Sequence, residues 1–188
     1  MTNKERFISL LKGTERAGIE NLLYVLSKTD LYTAPASTRF HESYEGGLIE
    51  HSLRVYDELN RILAAYPEIK IPADSVIIAA LLHDLCKVNF YGIEKRNRKN
   101  EQGKWESYNA YKVDEKFCFG GHGAKSVYIA QRYIQLTNEE AVAINCHMAA
   151  WNGDTTCGSA FEQHPFAWAL HVADEASVYI PKGDNRNE

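Results

Sequence analysis

The stretch PADSVIIAALLHDLCKV (residues 72–88) decides the fold class of this chain. Pro72 followed by a capping candidate, Asp74 or Ser75, is typical of a helix start. From there to Leu82 the residues are almost wholly apolar. A helix that is apolar on all sides lies at the centre of a domain, so we expect other helices to surround this one.

Helical periodicity recurs on both sides of this central stretch. The segments with this pattern are residues 4–13, 18–28, 48–66, 121–136, 138–151 and 164–180. Thr137 with Glu140 three residues later forms a capping-box pattern at one helix start. Residues 31–47 and 153–159 are rich in small and turn residues and are expected to be loops. The sequence therefore predicts an all-α helical bundle.

Residues 89–117 break the helical rhythm, with alternating aromatic residues on both sides of a polar stretch that contains Gly103. This pattern predicts an inserted β-hairpin or flap. The stretch carries five basic residues: Lys95, Arg96, Arg98, Lys99 and Lys104. Basic groups among aromatics can bind a nucleotide or a single strand, and Arg96 and Arg98 are candidates for this role. The alternative is a solvated hairpin tip above cross-strand aromatic pairs.

Length and composition indicate one globular domain over residues 1–188. The net charge of −4 argues against tight nonspecific binding of long nucleic acid. No apolar run is long enough to span a bilayer, and no signal peptide is evident, so we expect a cytoplasmic protein without membrane contact. The four cysteines form no C-x-x-C pair and are expected to be free.

Several titratable residues interrupt otherwise apolar helices. They are His51, His83, Asp84, His122, His147, His171 and Asp174. A buried carboxylate is costly unless it is paired or bound to a cation. If the helix ends bring these side chains together, a bound metal ion would offset the cost of burying the carboxylates. Helical bundles do hold such metal sites. Nitrogen and oxygen ligands suit Mn, Fe, Co, Ni or Zn, with Mg possible.

Each of these residues also has a simpler interpretation. A lone histidine on a helix is more often a hydrogen-bonded core residue, and the whole set could be structural. A zinc site of Cys118, His122, Cys146 and His147 is a further alternative. Adjacent residues on a helix point about 100° apart, which argues against Cys146 and His147 sharing one ion.

The order of these residues resembles the HD-domain superfamily of metal-dependent phosphohydrolases. His51, then His83–Asp84, then Asp174 follow the signature, and the stretches GGLIEHSLRV, ALLHDLCKV, GHGAKSV and HVADEAS are similar to the family as well. The resemblance covers residues 40–176. Within the family, the chain is similar to small bacterial HD proteins and to the HD domain of 3′-to-5′ exoribonucleases. It implies an HD-type bundle.

The resemblance also implies roles for particular residues. His51, His83, Asp84 and Asp174 would ligate one divalent metal ion. His122 and His147 stand where a second ion would find ligands, with Asp84 as the bridge. Cys86 departs from the family, in which glycine often precedes the lysine. The departure leaves room for a differently shaped substrate pocket.

The expected function is hydrolysis of a phosphoester of a nucleotide or short oligonucleotide by metal-activated water. Asp84 would bridge the ions or orient the water, and Lys87 would hold a phosphate oxygen. His41, in the loop before the first ligand, is a candidate substrate contact. His171 would support the ligands or pack between helices, while His164 would cap a helix or lie exposed. The alternative function is a non-catalytic, metal-stabilised nucleotide-binding sensor module.

Overall fold

The computed structural model describes residues 1–39, 41–149 and 157–180, which are mostly helical with one two-stranded antiparallel sheet. The elements are α1 (Asn3–Gly13), α2 (Ile19–Leu26), α3 (Gly47–Ala65), α4 (Ala73–Leu82), β1 (Tyr91–Lys99), β2 (Trp105–Val113), α5 (His122–Gln131), α6 (Asn138–Cys146), α7 (Cys157–Gln163) and α8 (Pro165–Tyr179). None of these described helices is long and apolar enough to cross a bilayer.

Helix α4 lies at the centre of the bundle, as its composition predicts. Ile78, Ala79 and Leu82 have no exposed surface, and helices α1, α3 and α6 pack against α4. The predicted side-chain cap is absent, because Pro72 occupies the N-cap position. Ser75 instead donates a hydrogen bond from its hydroxyl to Glu140 (2.7 Å), which ties α4 to α6.

The α-helix ends earlier than the predicted residue 88. Helix α4 stops at Leu82, and a 3₁₀ turn follows at Leu85–Lys87. The amide of Cys86 donates to the hydroxyl of Ser126 (3.0 Å) on α5 rather than to the preceding helical turn. His83 and Asp84 therefore lie at the bend between α4 and the 3₁₀ turn, with their side chains inside the bundle.

The second half of the bundle differs from the sequence prediction in two places, the end of α5 and the start of α7. Helix α5 ends at Gln131, before the predicted limit of residue 136. The predicted capping box of Thr137 and Glu140 at the start of α6 is confirmed. Helix α7 begins at Cys157, inside the predicted loop 153–159. Residues 153–156 of that loop, and the predicted end of the α6 segment at 150–151, lie outside the described residues.

The inserted hairpin is confirmed, with β1 and β2 paired antiparallel from Tyr91 opposite Val113 to Lys99 opposite Trp105. Because side chains alternate along a strand, the hairpin has two chemically different faces. One face carries Arg96 and Arg98, and the other begins at Tyr91 and ends at the Lys99–Trp105 pair.

Candidate metal centre

The side chains at the centre of the site come from the ends and inner faces of four helices. His51 is on α3, His83 and Asp84 follow α4, His147 caps the end of α6, and Asp174 is on α8. All five residues are buried, with at most 9% of their surface exposed. The fold therefore concentrates three imidazoles and two carboxylates in one place within the core.

Two of the three imidazoles are oriented by backbone carbonyls of their own helices. The Nδ1 atom of His83 lies 2.8 Å from the carbonyl oxygen of Ala80, and Nδ1 of His147 lies 2.6 Å from that of Ile144. A carbonyl oxygen only accepts, so each Nδ1 must carry the proton and donate. In the neutral ring, each Nε2 atom is then left with a free lone pair.

Ser177 orients the third imidazole. Its hydroxyl donates to the carbonyl oxygen of Asp174 (2.8 Å), one helical turn earlier on α8. The same oxygen lies 3.2 Å from Nδ1 of His51, and because its own proton is already used, it accepts from that nitrogen. The Nε2 atom of His51 therefore also faces inward with a lone pair when the ring is neutral.

The inward-facing atoms converge at short distances. Nε2 of His51 lies 3.4 Å from Nε2 of His83 and 3.1 Å from an oxygen of Asp174. Nε2 of His147 lies 3.7 Å from Oδ1 of Asp84, outside hydrogen-bonding distance. Lone pairs of neutral imidazoles and ionised carboxylates repel one another when they converge like this, so the cluster needs a proton or a cation at its centre.

The electrostatic environment shows how strongly the cluster attracts positive charge. Burial alone would lower the pKa of His51, but its hydrogen bonds to Asp174 and Asp84 raise that pKa to about 9. Burial and the nearby His83 lower the pKa of His147 to about 4. His147 is thus a neutral ring at ordinary pH, the form in which histidine binds a metal.

The donor atoms fit a divalent metal. One potential ligand atom from each of His51, His83 and Asp174 lies within 4.8 Å of the others, and the same holds for His83, Asp84 and His147. Nε2 of His147 is buried without a hydrogen-bond partner, and a metal ion would satisfy it. Transition-metal sites typically combine histidine nitrogens with carboxylate oxygens. In such sites the second nitrogen of each imidazole ring is usually held by a hydrogen bond.

Lys87 lies at the edge of this cluster. Its Nζ atom is 2.6 Å from Oδ2 of Asp84, one of the residues with potential ligand atoms. Burial alone would lower the pKa of Lys87, but the Asp84 carboxylate outweighs burial and raises it. Lys87 is therefore a fixed positive charge beside the potential metal ligands.

The residues of the buried cluster lie inside a region that matches a known protein family. A family model described as HD domain matches residues 48–178. The chain belongs to the HD-domain family. The matched region begins three residues before His51 and ends four residues after Asp174, so it contains every residue of the buried cluster.

The chain is also similar to a curated phosphodiesterase. The dihydroneopterin 2′,3′-cyclic phosphate phosphodiesterase of Methanocaldococcus jannaschii is 29% identical over 152 residues, which cover 78% of this chain and 52% of the relative. The chain thus spans about half the length of that protein. No solved structure was found to match the chain.

His122, a predicted ligand of a second ion, is linked to Asp84 of the cluster through Cys86, whose Sγ atom lies 3.8 Å from Oδ1 of Asp84. The Nδ1 atom of His122 is 3.3 Å from Sγ of Cys86, and its ring packs against Phe90. Among the described residues, none of the groups with ligand spacing includes His122 or a cysteine. The alternative zinc site is not assembled, because Cys118 is exposed while Cys146 is buried in a separate apolar cluster.

His171 and His164, the two histidines with less specific predictions, make defined contacts. Nδ1 of His171 lies 2.7 Å from the carbonyl oxygen of His147, and its ring stacks on Phe161. His171 thus supports the backbone of a potential ligand. His164 occupies the N-cap position of α8, and its ring pairs with Glu139 (2.7 Å) rather than with the helix backbone.

The predicted substrate contacts fall into two groups. His41 lies next to the cluster, with its ring centroid 5.0 Å from that of His51. Arg96 and Arg98 are on the hairpin, where Arg96 pairs with Glu94 and Arg98 with Glu106, each at 2.6 Å. These ion pairs reduce the positive charge that the two arginines offer to a phosphate.

The sequence analysis did not single out two residues that contribute to the site. Ser177 follows Asp174 by one helical turn, and this spacing is a signal that could have identified it. Glu42 is directly next to His41, but in a polar loop nothing marks it as a buried residue. The structure shows that it is only 8% exposed.

Proposed function

We propose that this HD-domain protein hydrolyses a phosphodiester of a nucleotide or short oligonucleotide, with a divalent metal bound among His51, His83, Asp84, His147 and Asp174. The observation that carries the proposal is the convergence of three inward-facing Nε2 atoms on two buried carboxylates beside Lys87. A structural cluster would have no reason to leave Nε2 of His147 without a partner.

The proposed chemistry divides between the bound ion and the side chains of the chain. When bound, the metal supplies hydroxide at neutral pH and offsets charge on the phosphoryl oxygens. Lys87 binds a nonbridging phosphate oxygen, because its charge is fixed at the cavity edge by Asp84. Asp84 orients the attacking water, and the surrounding helices exclude bulk solvent.

A diester is favoured over a monoester by the name of the relative, a cyclic phosphate phosphodiesterase, because a 2′,3′-cyclic phosphate is a diester. The relative is 29% identical, and the chain covers about half of its length, so the relative's own substrate is not carried over to this chain. The proposal therefore covers both cyclic and linear phosphodiesters.

The hairpin suggests a length for the substrate. One face of the two strands carries Lys95, Lys99, Tyr111 and the 71% exposed Trp105, and this face has no acidic residue. Lys99 stacks over the Trp105 ring at 5.6 Å. Exposed aromatic and basic side chains together suit a single strand, through base stacking and phosphate contacts.

The position of that face limits which substrates can use it. The hairpin starts beside the site, because β1 begins at Tyr91, four residues after Lys87. Trp105 is opposite Lys99, eight residues further along β1, which corresponds to about 26 Å of extended strand. A mononucleotide bound at Lys87 cannot reach Trp105, whereas a strand of several nucleotides can.

The proposal is tested with the metal-loaded full chain on three substrates: bis(p-nitrophenyl) phosphate, a 2′,3′-cyclic mononucleotide and a hexanucleotide. We expect turnover of at least one of them, lost in Asp84→Ala. Trp105→Ala should raise the KM for the hexanucleotide and leave the KM values for the two small substrates unchanged. Binding of nucleotide without turnover would instead identify the protein as a sensor module.

A further inference from the structure

Glu42 is a buried acid that the proposed centre does not use. It is 8% exposed, and its Oε1 atom pairs with Nη1 of Arg54 at 2.5 Å. Its Oε2 atom is buried without a hydrogen-bond partner. Among the described residues, only this atom and Nε2 of His147 are in that condition. A carboxylate oxygen buried without a partner is costly, so its position requires a reason.

The loop around Glu42 is held in place by several backbone interactions. The amide of Ala36 donates to the carbonyl oxygen of Glu42 (3.0 Å), and the hydroxyl of Ser37 donates to that of His41 (2.7 Å). A Cβ atom on Gly47 would lie 2.0 Å from the carbonyl oxygen of Glu42, so only glycine fits there. Glu42 itself has a φ of +42°, in the left-handed region that non-glycine residues rarely adopt.

The fixed loop brings Glu42 and His41 to the edge of the central cluster. One potential ligand atom from each of His41, Glu42 and His51 lies within 4.8 Å of the other two. The ring of His41 lies beside that of His51, with the two centroids 5.0 Å apart. An imidazole and a carboxylate oxygen without a partner form the beginning of a cation site.

We propose that His41 and Glu42 form an accessory divalent-cation site beside the central one. The inference rests on the proposed function in that it adds a second ion to the same cavity. Oε2 of Glu42 and a ring nitrogen of His41 are its protein ligands, and water or a substrate phosphate completes its coordination, as is common for Mg²⁺ and Mn²⁺.

Neighbouring charges set the order in which the two sites fill. Arg54 holds Glu42 in place through Oε1 but also puts a positive charge near the ion. The central site has the carboxylates Asp84 and Asp174, and His147 adds an Nε2 atom without a partner. The accessory site therefore binds more weakly and fills second.

This assignment differs from the sequence prediction for a second ion. That prediction used His122 and His147, but His122 faces Cys86 and does not belong to a group with ligand spacing among the described residues. The accessory ion would lie at the His41–Glu42 edge, next to His51 on α3, and the ligand roles of His122 and His147 stay predictions.

The experiment is a Mn²⁺ titration of the chelator-stripped full chain, with free Mn²⁺ followed by electron paramagnetic resonance. Wild type is compared with Glu42→Gln, which keeps the size of the side chain, and with His41→Asn. We expect both variants to lose the weaker equivalent, or to bind it at least tenfold less tightly. Glu140→Gln is the matched control, because it also neutralises a buried carboxylate, and it should bind as wild type does.

The same stoichiometry and affinity in wild type and both variants would overturn the accessory site. If Glu42→Gln does not fold, as judged by its melting curve, the His41→Asn result decides, because His41 is only partly buried.

The accessory site and the proposed function can fail separately. Asp84→Ala should lose the tighter equivalent and keep the weaker one. If Glu42→Gln lowers the stoichiometry while wild type hydrolyses no phosphoester, the accessory site stands and the function fails. If wild type hydrolyses a diester and Glu42→Gln leaves Mn²⁺ binding unchanged, the function stands and the accessory site fails.

Discussion

Two buried polar clusters in this bundle are built on opposite principles. Around Glu140, the protein supplies every partner: Arg16 binds both carboxylate oxygens, Ser75 donates to one and the amide of Thr137 to the other. Around Asp84, imidazole nitrogens face carboxylates, and Nε2 of His147 has no partner. The first cluster is complete as folded, whereas the second has room for an ion.

The comparison shows how buried polarity can be assigned to structure or to function. Burial alone costs free energy in both clusters, so burial does not distinguish them. The distinguishing feature is whether the donors and acceptors match. Substitutions should therefore affect stability in the Glu140 cluster and metal binding or turnover in the Asp84 cluster.

The largest effect on stability is expected from Arg16→Ala. This change leaves the buried Glu140 carboxylate without its cation, which should lower the free energy of unfolding by about 3 kcal/mol. Chemical denaturation measures this loss, and metal content per folded molecule should stay at the wild-type value. A loss of metal in this variant would show that the two clusters are not separate.

Lys87→Met should change turnover while leaving the bound metal in place. Removing a fixed charge that contacts the phosphate should lower kcat by about a hundredfold. Steady-state kinetics on a phosphodiester and elemental analysis of the same sample check both parts. Unchanged kcat would remove Lys87 from the proposed mechanism and make it only an ion-pair partner of Asp84.

His147→Leu should have opposite effects on stability and metal affinity. It removes a buried nitrogen that has no partner, so we expect the metal-free protein to gain up to about 1 kcal/mol in free energy of unfolding. Metal affinity should fall in the same variant. If the metal-free protein is destabilised by several kcal/mol, the ring is structural and the comparison fails.

The smallest effect is the pH dependence of the Glu140 cluster. Burial alone would raise the pKa of Glu140, but hydrogen bonds from Arg16, Thr137 and Ser75 outweigh it and lower the pKa. A depressed carboxyl pKa contributes stability above the unfolded value of about 4.3, and this stability is lost as the pH falls through the folded pKa. The stability difference between wild type and Glu140→Gln should therefore shrink on acidification, measured by denaturation from pH 7 to pH 3.

The sequence predicts the central helices well because their composition leaves few alternatives. An apolar stretch that ends in His83–Asp84 indicates both a buried helix and a polar site, and the structure shows both. Helix α7 was missed because Gly158 and Ser159 resemble loop residues, and its packing against α8 is not visible in the sequence. The predicted domain limits, metal ligands and substrate contacts stay predictions.

The details of the site depend on contacts between residues that are distant along the chain. The family resemblance implies a ligand role for His122, but the contact of its Nδ1 atom with Sγ of Cys86 in the turn after α4 is not visible in the sequence. Glu42 is buried because Gly47 lets its loop approach α3 closely, and polarity alone suggests an exposed residue. On the hairpin, Arg98 pairs with Glu106, which the strand register places directly opposite. Arg96 pairs with Glu94 on the same strand, and the register does not determine this pair.

The most direct test of the central claim is the metal content of wild type and Asp84→Ala, measured by elemental analysis on protein purified without a metal-affinity column. The account predicts at least one equivalent of divalent transition metal in wild type and its loss in the variant. Wild-type protein that takes up no metal, even after Mn²⁺ or Fe²⁺ is added back, would contradict the account.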